Sequence, residues 1–335
     1  MSSPGGAPAG TWCVIGGAGY IGAHVVAALC AHGTPVTVID DLSTGVARRL
    51  PPEVTCHRMS VLDTAAVAEV LAREAVTGVI HLAAKKAVGE SVAQPVRYYA
   101  ENVGGVISLL TAMATAGVPH IVYSSSAAVY GTSCASHIEE SAEPRPESPY
   151  GQTKLIGEWL LAAAAQPADL RWVALRYFNV AGAASAELGD TSVNNLIPLT
   201  FRNLTSGRRP ELFGDDYPTP DGSCVRDYIH VADLATAHVL AAAALESGGV
   251  TAEILNVGTG RGSSVIEVFD VVARVLGRTD GYATLPRRPG DPPSLVASVE
   301  RIGERLGWRA QLDLADMVAS AWTAWCHRAD PGGGL

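Results

Sequence analysis

Short apolar segments rich in β-branched residues alternate with helical segments through the first half of the chain. Strands are predicted at TWCVI (11–15), PVTVID (35–40), VTC (54–56), GVIHLA (78–83) and HIVYSS (120–125). The segments at 20–33, 64–75 and 102–117 place apolar residues at helical spacing, with Gly near their ends. Strands that are apolar throughout and separated by helices indicate a parallel sheet covered on both faces. The right-handed crossovers of such sheets then predict a doubly wound α/β fold.

The pattern changes after about residue 177. The stretches NVAGAASAELGD (179–190) and FGDDYPTPDGSC (213–224) are rich in Gly, Pro and Asp, as expected of loops. Loops carried by a rigid scaffold often bind ligands. We therefore expect a doubly wound domain over residues 11–177 and a smaller ligand-binding portion over residues 178–328, some segments of which return to the first domain.

Composition narrows the classes of partner. The formal net charge of −9 disfavours nucleic acid and anionic membranes, because both are bound by basic surfaces. The six cysteines contain no C-x-x-C pair and no metal-like spacing, which is typical of a reducing compartment. The first ten residues do not resemble a secretory signal, and apolar runs are too short to span a bilayer. These features predict a cytoplasmic protein without a metal site.

A glycine-rich loop, VIGGAGYIG (14–22), joins the first predicted strand to the first predicted helix. Gly16, Gly19 and Gly22 follow the spacing G-x-x-G-x-x-G. Glycines at a strand–helix turn let backbone N–H groups approach a pyrophosphate at the helix N-terminus. Such loops also serve as plain turns, so the motif needs further support.

The support comes from Asp40, which ends the second predicted strand 21 residues after Gly19. A carboxylate at this place accepts hydrogen bonds from the adenosine ribose hydroxyls. Asp41 beside it makes a 2′-phosphate still less favourable. The combination predicts a Rossmann-type dinucleotide site and favours NAD over NADP; a capping Asp at a strand end is the alternative.

A Tyr and a Lys lie four residues apart in PYGQTK (149–154), so Tyr150 and Lys154 share one face of the predicted helix. A free phenol has a pKa near 10, and lowering it to about 7 requires about 4 kcal/mol. One ammonium group at about 4 Å supplies roughly that much at an effective dielectric constant near 20. The pair therefore forms a usable base, which an oxidised nicotinamide ring would assist with a second positive charge.

Three serines follow the fifth predicted strand in SSSAAVYG (124–131). Ser126 stands at the carboxyl end of that strand, where ligands bind in doubly wound sheets. Its hydroxyl is placed to hold a reacting oxygen or the phenol. A Y-x-x-x-K spacing alone is more often a coincidence, but the glycine loop and the serines together indicate an acid/base site.

Nine motifs occur in one order between about residues 11 and 326. They are GGAGYIG, HLAAKKAVGES, SSSAAVYG, SPYGQTK, LRYFNVAGA, NNLIP, FGDDYPTPDGSCVRDYIHV, NVGTGRGSSV and RRPGD. In order and length they resemble the UDP-glucose 4-epimerases of the extended short-chain dehydrogenase/reductase family. The resemblance implies a homodimer that holds NAD tightly and inverts C4 of a UDP-sugar through a transient 4-keto sugar.

The resemblance also implies roles for individual residues. The catalytic residues are Ser126, Tyr150 and Lys154. The NAD-binding residues are Gly16, Gly19, Tyr20, Ile21, Gly22, Asp40, Lys86, Asn102, Tyr150, Lys154 and Phe178. The UDP-sugar is assigned to Ser126, Asn179, Asn195, Phe213, Arg226, Arg288, Asp291 and Leu295. For the arginines the chemistry agrees, because a planar guanidinium binds phosphate oxygens in a fork. Phe213 is placed against uracil, with core packing as the alternative.

Three positions depart from the family pattern. Met59-Ser60 stands where Gly-Asp is usual and the Asp contacts adenine, and Ile15 stands where Thr is usual. Leu295 replaces a Tyr or Cys found in some members, which bears on the sugars that fit.

Related family members with the same catalytic residues carry out other reactions. Ala127 and Ala128 replace the Asp-Glu pair of related dehydratases, which argues against dehydration. A C4 epimerase of UDP-N-acetylhexosamine or UDP-arabinose is the enzyme alternative. An NAD-binding sensor without catalysis is disfavoured by the complete Ser126, Tyr150 and Lys154 set.

Overall fold

The computed structural model describes residues 9–133, 135–166, 169–278, 280–288 and 291–329. In these ranges the strands are β1 (Thr11–Ile15), β2 (Val36–Asp40), β3 (Thr55–Arg58), β4 (Val76–His81), β5 (His120–Ser124), β6 (Arg171–Tyr177), β7 (Asn179–Ala181), β8 (Glu211–Phe213), β9 (Val225–His230), β10 (Ala252–Val257), β11 (Gly262–Ser264), β12 (Ala283–Leu285) and β13 (Ser294–Leu295). The α-helices are α1 (Tyr20–Ala31), α2 (Thr64–Arg73), α3 (Val88–Ala93), α4 (Pro95–Tyr98), α5 (Gly104–Ala116), α6 (Pro149–Ala165), α7 (Leu196–Thr205), α8 (Val231–Glu246), α9 (Val265–Leu276), α10 (Glu300–Leu306) and α11 (Leu314–Ala329).

Seven strands form a parallel sheet in the order β10-β6-β5-β4-β1-β2-β3. The chain order reverses beside β1, which puts a crevice at the carboxyl ends of β1 and β4. The five predicted strands correspond to β1–β5, with boundaries shifted by up to two residues. The predicted doubly wound α/β fold is confirmed.

The two faces of this sheet are covered by separate apolar clusters. Trp12 and Val14 of β1 belong to one cluster with residues of α1 and α8. Cys13 and Ile15 belong to the other, with residues of α2, α5 and α6. Consecutive side chains of a strand point to opposite faces, so strands buried on both sides must be apolar throughout. This explains the apolar runs in the sequence.

Local sequence signals set the start of α6, the helix that carries Tyr150 and Lys154. Ser148 is its N-cap and accepts a hydrogen bond from the Gly151 N–H at 3.1 Å. Pro149 follows at the first helical position, where its missing N–H costs nothing. None of the helices in the described part of the chain is long and apolar enough to span a membrane.

The second half of the chain builds a smaller layer beside the large sheet. Strands β7, β11 and β13 each pair with β9, and β12 pairs with β8. Residues of α7, α9 and α11 pack into one apolar cluster there. Three elements return to the large sheet: β10 pairs with β6, α8 packs against α1, and α10 packs against β10 and α8.

Glu246, the last residue of α8, joins the start of the chain to this sheet. Its carboxylate accepts hydrogen bonds from the N–H groups of Ala9 and Gly10 at 2.6 and 3.2 Å. It also accepts from Trp12 Nε1 at 2.7 Å and from Thr77 Oγ1 at 3.2 Å. One carboxylate thus holds β1, β4 and α8 together at one end of the sheet.

Glu246→Gln should lower the free energy of unfolding by about 1–3 kcal/mol, because hydrogen bonds to a charged acceptor are lost from partly buried donors. Equilibrium urea denaturation measures the change. Glu304→Gln, on the exposed side of α10, is the matched control and should stay within about 0.5 kcal/mol of the parent. Equal losses in both variants would contradict this role for Glu246.

Candidate active site

A cleft of about 830 Å³ opens at the carboxyl ends of β1, β4, β5 and β6. It reaches from the glycine loop to the smaller layer formed by β7, β9 and β13. The structure brings most of the predicted site residues to its wall: Gly16, Gly19, Tyr20, Ile21, Gly22, Asp40, Lys86, Asn102, Ser126, Tyr150, Lys154, Phe178, Asn179, Asn195 and Leu295. Residues distant in sequence therefore meet in one place.

The glycine loop is shaped so that the backbone itself forms the wall. Gly16 has φ +82°, and a Cβ there would lie 2.7 Å from the Ala83 nitrogen. A Cβ on Gly22 would lie 2.1 Å from the Gly16 carbonyl oxygen. Gly19 caps α1 without a side-chain hydrogen bond, which leaves the first N–H groups of this helix available. Free N–H groups at a helix N-terminus fit a pyrophosphate.

Asp40 lies beside this loop with 7 % of its surface exposed. Its Oδ2 accepts from the Ala18 N–H at 2.9 Å, and its Oδ1 accepts from the Leu42 N–H at 2.8 Å. Burial raises the pKa of this carboxyl, and the two backbone bonds oppose that effect. A carboxylate has about four acceptor positions, so two remain for ribose hydroxyls. The arrangement fits the adenosine end of a dinucleotide.

The Asn102 side chain connects the loop after β4 to α6 through three hydrogen bonds. Its Oδ1 accepts from the Lys85 N–H at 2.8 Å, and its Nδ2 donates to the Lys85 carbonyl and to Thr153 Oγ1, each at 3.0 Å. It stands in a π turn, Tyr99–Val103, a feature often found at functional sites. Asn102 therefore fixes the loop that presents Lys86, whose Nζ lies 3.5 Å from Ser192 Oγ.

Two of the three departures from the family pattern, Met59-Ser60 and Ile15, lie on the same wall. Met59 and Ser60 line the cleft near the end of β2, and Ser60 Oγ accepts from the Leu62 N–H at 3.2 Å. Ile15 is 1 % exposed and its carbonyl accepts from the N–H groups of Leu82 and Ala83. The Ile15 side chain is part of the apolar core below the glycine loop.

Lys154 is held by the end of β5. Its Nζ donates to the Ser124 carbonyl oxygen at 2.8 Å and lies 5.1 Å from the centroid of the Tyr123 ring. Burial lowers the pKa of Lys154 to about 8, although Glu158 one helical turn away opposes the shift. The ammonium is therefore desolvated and fixed in direction.

Tyr150 is 8 % exposed and hydrogen-bonds the side chain of Ser126. Burial raises the pKa of Tyr150 above its usual range, and this bond opposes the rise. The prediction that Lys154 alone brings the Tyr150 pKa to about 7 is therefore wrong for the chain by itself. Its reasoning counted the attraction of the ammonium and omitted the cost of burying a phenolate.

The three serines have three different partners. Ser124 Oγ lies 3.0 Å from His238 Nε2, and Ser125 Oγ donates to Glu158 Oε1 at 2.5 Å. Ser126 Oγ accepts from the Ala128 N–H at 3.2 Å and bonds Tyr150. Of the three side chains, Ser126 is the one that lines the cleft. Its placement matches the position expected from the sequence.

One face of β9 and its neighbours supplies the opposite wall. Leu295 of β13 pairs with Arg226 of β9, and Asn179 of β7 pairs with Tyr228. Arg226 and Tyr228 are two residues apart on the strand, so their side chains point to one face. Asn195 also lines the cleft, and Asp190 Oδ2 accepts from its Nδ2 at 3.1 Å.

Four predicted substrate residues lie outside the described wall of the cleft and form two pairs. Arg226 Nη2 donates to Asp291 Oδ1. The guanidinium carbon of Arg288 stacks 3.7 Å from the centroid of the Phe213 ring. One face of Phe213 is thus covered by a cation in this structure, where the sequence interpretation had uracil.

Several wall residues were not among the predicted site residues, and Tyr177, Tyr228 and Asp190 are three of them. Tyr177 ends β6 and hydrogen-bonds Ser124, and burial raises its pKa above the usual range. Tyr228 bonds the Asn179 side chain. Period-two alternation from Arg226 would have indicated Tyr228, whereas Asp190 stands in a loop without a pattern to identify it.

Comparison with known proteins agrees with this geometry. A protein from Azospirillum brasilense named UDP-glucose 4-epimerase is 44% identical over 317 residues, which cover 93% of this chain and 90% of that protein. The solved structure of UDP-glucose 4-epimerase from Brucella ovis in complex with NAD has a TM-score of 0.90 at 41% identity, covering 93% of this chain and 97% of that one. The enzyme from Bifidobacterium longum, in complex with NAD+ and UDP, has a TM-score of 0.87 at 36% identity, covering 97% and 100%. Residues 12–258 match the family model, and the chain belongs to the NAD dependent epimerase/dehydratase family.

Proposed function

We propose that the chain is a UDP-glucose 4-epimerase, which interconverts UDP-galactose and UDP-glucose at C4 while its NAD stays bound. The observation that carries this conclusion is the meeting of Ser126, Tyr150 and Lys154 in one cleft, between a dinucleotide-binding loop and the face of β9. The named relatives and the NAD-bound structures support it independently.

We assign NAD to the portion formed by residues 11–177 and the UDP-sugar mainly to residues 178–328. The glycine loop and the start of α1 receive the pyrophosphate, and Asp40 accepts from the ribose hydroxyls. When bound there, NAD would supply the hydride acceptor and donor of the reaction. Phe178 is the first residue of the second portion, is 5 % exposed and lines the cleft.

Tyr150 acts as the base in the mechanism we propose. As phenolate it takes the proton of the sugar 4-hydroxyl while C4 gives up its hydrogen as hydride, which leaves a 4-keto sugar. Lys154 stabilises the phenolate electrostatically, and Ser126 donates to the reacting oxygen. After the ketone turns over, the hydride returns to its other face and Tyr150 returns the proton. Atoms and electrons balance without an outside reductant.

We assign binding of the diphosphate of the UDP-sugar to the two arginines, Arg226 and Arg288. Arg226 lies on the face of β9 that borders the cleft, next to Leu295. Arg288 and Phe213 form a stacked pair near the end of the β8–β12 ribbon. Asn179 and Asn195 reach the cleft with amide groups suited to sugar or phosphate oxygens. Asp291 orients Arg226 through their ion pair.

We also propose a homodimer that packs through α5 and α6. Ile107 on α5 is 50 % exposed and Trp159 on α6 is 62 % exposed. Large apolar side chains at such exposure on adjacent helices are typical of a surface that a partner covers. Trp159 is on the same helix as Tyr150 and Lys154, so this interface would stiffen the helix that carries the base.

Pure protein incubated with UDP-galactose and no added cofactor should produce UDP-glucose, detected by NMR. Tyr150→Phe should lower kcat by about 10²–10⁴-fold and leave UDP binding by calorimetry largely unchanged, because only the base is lost. Leu276→Met, a volume-conserving change in α9 away from the cleft, serves as the control and should keep parental activity. An active Tyr150→Phe enzyme would mean that another residue moves the proton.

The parent should also act, more weakly, on UDP-N-acetylgalactosamine, because Leu295 leaves an apolar space beside the sugar where other members have Tyr. Leu295→Tyr should suppress this second activity by about 1–3 kcal/mol in kcat/KM and affect the hexose pair less. Steady-state kinetics on both pairs measures the ratio.

Leu295→Met is the matched control, since it keeps an apolar side chain of similar volume and should keep the ratio. Equal losses on both sugars, or a parent inactive on the N-acetylated sugar, would show that Leu295 does not select the sugar.

Trp159→Glu should convert the dimer to a monomer, because a charge would be buried in an apolar interface. Light scattering at micromolar concentration measures the mass. Tyr282→Glu, at another exposed aromatic residue outside α5 and α6, should remain dimeric. A monomeric parent would refute the proposed dimer.

A further inference from the structure

A buried ion pair lies directly behind the three serines. Arg176 of β6 donates from Nη2 to Glu158 Oε2 at 2.6 Å and from Nε to Glu158 Oε1 at 2.9 Å. The side chains are 2% and 3% exposed, respectively. The same Oε1 accepts the hydroxyl of Ser125 at 2.5 Å. Glu158, Arg176 and Ser125 lie outside the described wall of the cleft.

Ser125 lies between the two residues that contact Lys154 and Tyr150. The residue before it supplies the carbonyl that receives Lys154 Nζ at 2.8 Å. The residue after it is Ser126, which bonds Tyr150. Glu158 therefore holds, through one hydroxyl, the backbone from which both contacts originate.

Further contacts keep the ion pair itself from moving. The Arg176 guanidinium carbon lies 4.8 Å from the centroid of the Tyr130 ring, and its Nη1 lies 3.5 Å from the Glu140 carbonyl. Tyr130 in turn donates to Asn256 Oδ1 at 2.6 Å. The carboxylate thus reaches Ser125 from a rigid site that spans β6, β10 and α6.

We propose that Glu158 is a positioning residue for the epimerisation: paired with Arg176, it fixes Ser125 and so sets Ser126 and the Ser124 carbonyl against Tyr150 and Lys154. This inference rests on the proposed function. It adds to the reaction a residue that touches neither sugar nor cofactor.

The charge of Glu158 also acts on Lys154, one helical turn away. The titratable and charged groups around the two are His81 from β4, Tyr123 from β5, Tyr150 from α6, Tyr177 and Arg176 from β6, and Tyr130, Glu140 and Arg301 from the surrounding loops and α10. His81 is neutral near pH 7, because burial lowers its pKa to about 3. Glu158 raises the pKa of Lys154 against burial, which lowers it to about 8.

Two variants separate the hydrogen bond from the charge. Ser125→Ala removes the hydrogen bond between Ser125 and Glu158 and leaves the ion pair with Arg176 intact. Glu158→Gln removes the charge and weakens this hydrogen bond. Both should lower kcat for UDP-galactose on the order of 10–10²-fold with little change in KM, since misplaced catalytic groups affect the chemical step. Ser125→Thr, which keeps the hydroxyl, should recover most of the loss.

The pH profile distinguishes positioning from a general loss of stability. The active form needs a charged Lys154, and this form disappears as pH rises through the Lys154 pKa. Without the Glu158 carboxylate that pKa falls further, so the alkaline limb of kcat should move to lower pH in Glu158→Gln. In Ser125→Ala, where the charge remains, the limb should stay in place.

Hydrogen exchange gives a readout that does not depend on activity. Peptides covering residues 120–131 should exchange faster in Ser125→Ala and Glu158→Gln than in the parent. Asp233→Asn is the matched control: this buried carboxylate accepts from the N–H groups of Gln311 and Leu312 and, among the described contacts, makes no hydrogen bond to the serines. Its peptides around 308–313 should exchange faster, with the parental pH profile retained.

The outcomes are distinct. If Ser125→Ala has parental kcat and parental exchange in residues 120–131, the positioning role is overturned, even should Glu158→Gln fail to fold. If Glu158→Gln folds and has parental kcat and parental exchange in residues 120–131, the proposal is likewise overturned. A parent inactive on UDP-galactose with the predicted exchange changes would instead refute the proposed substrate and leave the tie between Glu158 and Ser125 intact.

Discussion

The buried ammonium of Lys154 is the constraint on which the proposed chemistry of this cleft depends. Lys154 is 3 % exposed, and in the proposed mechanism it must stay charged for Tyr150 to act as a base. The structure counters the cost of desolvation with a carbonyl at the end of β5, the face of the Tyr123 ring and the carboxylate of Glu158. Glu158 is itself neutralised by Arg176, so the burial of one cation requires two further charges. The position of α6 against β5 and β6 follows from this set of contacts.

The doubly wound sheet suits such a site because its strands end at a common edge. The backbone there provides N–H groups at the start of α1 that no side chain caps, and at Ser124 a carbonyl that accepts a hydrogen bond from Lys154 Nζ. Strands packed on both faces hold these groups in place, as the two apolar clusters show. The packed core therefore positions the edge of the sheet at which the proposed site lies.

The sequence predicted the parts of the molecule that depend on local patterns. Apolar runs located β1 to β5, and the glycine spacing with Asp40 located the dinucleotide loop, since both follow from steric and burial rules along short stretches. Side-chain contacts between residues distant along the chain could not be predicted from the sequence. The stacking of Arg288 on Phe213 and the ion pair of Arg226 with Asp291 join segments separated by loops, which leaves no periodic signal. In the chain without NAD, burial raises the pKa of Tyr150, an effect that no residue spacing reveals.

The residues proposed for sugar recognition and those proposed for catalysis lie on different elements. Ser126, Tyr150 and Lys154 lie on α6 and just after β5, whereas Leu295 and Asn179 lie on strands that pair with β9. Asp227, on the opposite face of β9 and 0 % exposed, accepts from the N–H groups of Thr259, Gly260 and Ala297 and so fastens β13 to its neighbours. A side chain at position 295 can therefore differ in size while its strand stays in register. Leu295 also packs against the apolar cluster that contains Ala127 and Leu155, the chain neighbours of Ser126 and Lys154. Under the proposed function, a change of size at position 295 would therefore act on the fit of the sugar and, through this cluster, on the elements that carry the proposed acid/base set.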